Sequence, residues 1–132
     1  MTLNTYRLLP MGLAALIAGS QAQAAETPSL QQICRAGIAA VIAQDAKAVK
    51  VTSVADGVVT TEYTQPINNK VWTQRCRLIG NRVVWAQGEG RWRDGENDGV
   101  KVTYTVDGND IAIRQVSRDG SFNTRKFGLA AL

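Results

Sequence analysis

Arginine, tryptophan and one pair of cysteines carry most of the chemistry available to this chain. Arg75 and Arg77 sit two apart in one stretch and Arg82 follows at a turn; Arg91, Trp92 and Arg93 are consecutive, and Arg114 lies in a later alternating run. Guanidinium groups give planar, two-point recognition of carboxylates and phosphates, and an indole ring stacks on a sugar or on a guanidinium. These seven residues form the candidate binding surface, facing an acidic protein or an anionic envelope component. The competing reading is an ordinary solvated sheet face, with Trp92 folded back over the edge of the core.

Catalytic material is sparse. Histidine is absent, which removes the usual neutral-pH base and the commonest metal ligand. No serine lies in a G-x-S-x-G elbow, and Gly88-Glu89-Gly90 is an isolated G-x-G with no helical pattern after it, so neither nucleophilic chemistry nor a nucleotide loop is indicated. No cofactor and no enzymatic activity are expected. The segment Asp94-Gly95-Glu96-Asn97-Asp98-Gly99 resembles the first half of a calcium loop, with Asp94, Glu96 and Asp98 at alternate positions. It departs where a bidentate glutamate should stand, because Thr105 takes that place and a strand pattern follows. A solvated turn is the preferred reading of the segment, and calcium binding the lesser one. A hydrolase using two carboxylates from Glu89, Asp94, Glu96 and Asp98 is the remaining catalytic alternative.

Residues 1–24 read as a cleavable secretory leader. Arg7 supplies the positive start, Leu8 to Ala18 the apolar run, and Ala22-Gln23-Ala24 a small-x-small exit, with cleavage after Ala24 or Ala25. The apolar run falls short of the ~20 residues a spanning helix needs, so no transmembrane anchor is expected. The remainder, 25–132, is about the size of one small domain. The leader holds Arg7 and no acid, so the net charge of +4 becomes +3 without it. That balance is too small to imply nucleic-acid binding. The address is periplasmic or secreted, where an isolated Cys34 and Cys76 are expected to pair. Closing that loop is worth ~4 kcal/mol by chain entropy.

Local patterning supplies the elements that must position these groups. Thr27 as cap and Pro28 at the first helical position open a helix whose apolar stripe is Leu30, Ile33, Cys34, Gly37, Ile38, Val41 and Ile42, running to about Gln44. Ala36, Ala39, Ala40 and Ala43 keep its flanks slim, and Gly37 suggests close approach of a strand. Strands follow. Ala48 to Val54 and Val58 to Thr64 flank a three-residue loop Ala55-Asp56-Gly57. Lys70 to Ile79 and Arg82 to Gln87 turn about Gly80-Asn81, placing Cys76 opposite Trp85 and Leu78 opposite Val83. If Cys76 reaches Cys34, that face is the core, and Arg75 and Arg77 point away. Val100 to Val106 and Ile111 to Ser117 form a third hairpin, and Phe122 to Leu129 a last strand in which Phe122 and Phe127 have opposite parity.

The expected architecture is α+β: one N-terminal amphipathic helix packed on an antiparallel β-meander of about six strands and joined to it by the disulfide. In its order of elements alone it resembles cystatin-like and NTF2-like helix-and-sheet folds. The expected function is an exported, non-enzymatic binding module, of inhibitor or immunity type, acting through the Arg-rich outer face and the 88–99 loop. A structural or assembly factor of the cell envelope is the alternative. Nothing in the sequence indicates an oligomeric state.

Overall fold

Capping decides where the helix begins. In the computed structural model, which describes residues 27–132, helix α1 spans Leu30–Val41 rather than starting at Pro28. Ser29 is the cap: the Gln32 N–H donates to Ser29 Oγ (3.2 Å) while the Ser29 N–H donates to Gln32 Oε1 (2.9 Å). This reciprocal box satisfies two terminal donors at once and displaces the Thr27–Pro28 start. The helix also stops short of Gln44, because Ala43 turns left-handed at φ 57. The N–H groups of Ala43 and Gln44 then close back onto Ala40 and Ala39, the pattern of a Schellman ending. The leader expected over residues 1–24 lies outside the described residues.

Seven strands follow in an antiparallel meander whose spatial order is the chain order. They are β1 Val49–Ala55, β2 Val58–Gln65, β3 Lys70–Ile79, β4 Arg82–Gln87, β5 Val100–Asp107, β6 Asp110–Ser117 and β7 Phe122–Gly128. The count is seven where about six were expected, each of the expected strand segments forming its own strand, and β7 pairs with β6 along its whole length without a bulge. Phe127 therefore faces the core at 7% exposure, while Phe122 faces out at 58%. In the first hairpin the turn is the two residues Asp56-Gly57, both at positive φ, which suits the twist of tightly joined strands. The odd residue reappears as a bulge between Val51 and Ser53, so Ser53 pairs with Thr60 instead of keeping the expected alternation.

The sheet curls around α1, and the core lies between them. Ile33, Ile38 and the three alanines Ala36, Ala39 and Ala40 meet Val49, Val59, Val83, Val102, Ile111, Ile113 and Phe127. Slim helix residues make this wrapping possible. A Cβ on Gly37 would sit 2.8 Å from Val83 Cγ1, so only glycine fits that crossing unless the valine moves. Cys34 and Cys76 are bonded, with Cα atoms 5.8 Å apart, and both are fully buried. Cys76 pairs with Trp85 and Leu78 with Val83, as expected. Polar side chains finish the joint: Arg35 Nε donates to the Ala46 and Val49 carbonyls (2.9 and 2.8 Å), and Arg125 and Gln115 reach the Ala39 and Ala40 carbonyls. No helix among the described residues is long and apolar enough to cross a membrane.

Candidate functional site

Parity places Arg75 and Arg77 on the outer side of β3, since Cys76 between them points at the helix. That side is not open to solvent. The segment after β4 doubles back and lays Trp92 over it, with the guanidinium carbons of Arg75 and Arg77 at 4.6 and 4.3 Å from the ring centroid. Beneath the indole, Val84 and Ala86 are 1% and 0% exposed. Arg75 also donates through Nε to the Gly88 carbonyl (2.7 Å) and through Nη2 to the Gly90 carbonyl (2.6 Å). Arg82 donates to the Asp94 carbonyl (3.2 Å) and pairs with Glu96 at 2.7 Å. Arg75 and Arg82 thus hold the 88–99 loop in one position through charge-assisted bonds to its backbone and to Glu96, and Arg77 adds its contact with the Trp92 ring.

The Arg91-Trp92-Arg93 triplet is split between the two sides of the sheet. Arg93 pairs with Trp85 as an isolated bridge, its N–H donating to the Trp85 carbonyl (2.6 Å) and its carbonyl accepting from the Trp85 N–H (3.3 Å). Its guanidinium lies 4.9 Å from the Trp85 ring centroid, on the helix side. Arg91 is exposed. Arg114 faces outward opposite Thr103, and its guanidinium lies 3.8 Å over the exposed Phe122 ring. Of the seven candidate residues, the structure gathers Arg75, Arg77, Arg82 and Trp92 into one clamp and leaves Arg91, Arg93 and Arg114 on separate exposed positions. Arg77 Nε is buried without an acceptor; its charge is met by the indole face instead.

The acidic half-loop is knitted into the same clamp. Asp94 Oδ1 accepts from the Glu96 N–H and Asp98 Oδ1 from the Gly95 N–H, both at 2.9 Å, while Glu96 turns to Arg82. The three carboxylates therefore point at three different partners. Among the described residues no three His, Cys, Asp or Glu side chains converge as metal ligands would. Glu89, the fourth carboxylate considered, is exposed.

Sequence reading passed over a second cluster. Thr61, Gln74 and Gln87 lie side by side across β2, β3 and β4, next to the pair Tyr63 and Trp72. These face inward, beyond the end of α1, where Ile42 and Gln44 border them. The signal was present in the parity, because Gln74 shares the helix-side alternation with Cys76 and is a polar residue where an apolar one belongs.

Comparison with known proteins adds no relative: no family model, no curated protein and no solved structure matches the chain. The likeness of element order to cystatin-like and NTF2-like folds has no matching structure behind it.

Proposed function

We propose that this protein is an exported binding module that engages an acidic partner around the clamped 88–99 loop, without chemistry of its own. The observation that carries the reading is the Arg75–Trp92–Arg77 stack, which fixes the loop in advance. A surface already ordered spends little entropy when a partner arrives. Arg91 on the loop and Arg114 on the neighbouring outer face offer exposed guanidinium groups to carboxylates or phosphates. Export is supported by the leader pattern and by the Cys34–Cys76 bond, which suits an oxidising compartment.

The test separates the clamp from the contact. Arg75 and Arg82 hold the loop, so replacing them disturbs structure; Arg91→Glu with Arg114→Glu leaves the clamp intact. Affinity capture from a periplasmic extract with the oxidised protein should recover a partner that the double variant fails to hold, at unchanged melting temperature. Equal recovery by both proteins removes the reading.

A further inference from the structure

We propose a second binding site, for a neutral carbohydrate, at the open mouth of the curled sheet beyond the helix C-terminus. It is independent of the arginine-bearing loop. The groove measures about 340 Å³ and is lined by Gln44, Gln65, Gln74, Gln87, Tyr63 and Trp72, with Ile42 at its margin. That volume falls within the ~300–1,000 Å³ of small-molecule sites, which combine aromatic walls with a few fixed polar groups.

Two features argue that the amides are placed to bind. Gln74 is only 2% exposed. Thr61 Oγ1 donates to its Oε1 at 2.9 Å, which turns the amide nitrogen of Gln74 towards the groove it lines. The Gln74 amide nitrogen is not among the buried, unpartnered side-chain atoms of the described residues, so it meets the water of the groove and is free to donate to a ligand there. Gln65 is fixed in the same way, its Oε1 accepting from Trp72 Nε1 at 3.2 Å. Both side chains are therefore held by their oxygens and offer their nitrogens, a preset pair of donors beside two aromatic rings.

The lining selects the ligand class. None of these side chains carries charge at neutral pH, so a phosphate or carboxylate finds no counter-ion within the groove. The exposed Lys70 lies outside this lining, its Nζ 4.0 Å from the centroid of Trp72, where it covers one face of that ring. Gln65 and Gln74 present amide donors, and Gln44 and Gln87 add amides with both a donor and an acceptor; together they match the hydroxyls of a sugar ring, and the indole and phenol match its apolar C–H faces. An extended peptide fits less well. β2 and β3 are paired on both sides, and the outer edge of β4 is taken up at Arg82 by β5 and at Trp85 by Arg93, so no long free strand edge is offered for main-chain pairing.

The purified, oxidised protein, labelled with nitrogen-15, is titrated to millimolar concentration with neutral tetrasaccharides of β-1,4-N-acetylglucosamine, β-1,4-glucose and α-1,4-glucose, and in parallel with an uncharged tripeptide and an acidic sugar. At least one should shift the side-chain amide signals of Gln65, Gln74 and Gln87 and the indole signal of Trp72, leaving the Trp92 indole in place. Trp72→Ala and Gln74→Leu should each weaken that titration by about tenfold or more. Gln87→Leu, at an exposed position that the fold does not need, should weaken it too, so the result survives if the buried variants fail to fold. Absence of shifts with every sugar, or shifts produced only by an uncharged tripeptide or by an acidic sugar, overturns the proposal.

Discussion

Where Cys76 pairs with Trp85 and Arg77 with Val84, the β3–β4 ladder is covered on both sides, yet by different means. On the inner side, Cys76, Trp85, Leu78 and Val83 meet the helix, with a covalent bond and a glycine crossing fixing the distance. On the outer side, Val84 and Ala86 are buried under a single indole that two guanidinium groups and a few hydrogen bonds hold down. Simple alternation would have left that outer side wet. A loop has taken the part of a second packing layer, and polar contacts do there what apolar packing does within.

Breaking the inner side should cost most. Cys34→Ser with Cys76→Ser removes a cross-link spanning 42 residues and should lower the unfolding free energy by ~4 kcal/mol, measured by urea titration of oxidised wild type and variant. On the outer side, Trp92→Ala strips the cover from Val84 and Ala86. A loss of ~2 kcal/mol is expected, below that of a fully buried aromatic because the ring is half-exposed. Faster amide exchange should appear over residues 88–99 while α1 stays protected. If exchange in the helix rises equally, the two sides are not separable.

A smaller change sharpens the inner contact. Gly37→Ala gains up to ~1 kcal/mol of helix propensity but drives a methyl into Val83, and such overpacking costs ~1–3 kcal/mol. Net destabilisation is expected from thermal melting, and Val83→Ala in the same chain should relieve part of it; simple additivity of the two would remove the clash as the cause. The smallest effect lies away from both sides, in the β6–β7 turn. There the Ser121 hydroxyl and N–H donate to Asp119 Oδ1 (2.6 and 2.9 Å), which holds that carboxyl below its ordinary value. A lowered carboxylate pKa stabilises the fold above the unfolded-state value and ceases to do so as the pH falls through the folded one. Asp119→Asn should therefore flatten the acid limb of the stability profile slightly, and an unchanged limb would show the turn to be uncoupled from folding.

Much of this frame was legible in the residues. The apolar stripe of α1, the three glycine-centred hairpins and the pairing of Cys76 with Trp85 follow from periodicity and turn chemistry alone. The Ser29 start was obscured because Thr27-Pro28 is also a valid opening; only the reach of Gln32 decides between them. The bulge after Val51 was hidden for a related reason, since one spare residue can be absorbed in a turn or in a strand. A folded-back Trp92 stood in the sequence as the competing reading, but the bonds that fasten it could not be read. Arg75 and Arg82 bond to main-chain carbonyls of the loop, and carbonyls look alike at every position of a sequence. Gln74 was the opposite case, a visible breach of alternation that went unused.

One consequence concerns the seam between β4 and β5. Those strands share a single paired position, Arg82 with Thr103, and the disulfide ties together only segments that precede it. A protease that nicked the chain between residues 88 and 99 would leave the last three strands attached by noncovalent contacts alone. Holding that stretch flat against the sheet denies an enzyme the extended, mobile substrate it needs. The arginines that fasten it therefore guard the place where one cut would divide the molecule in two.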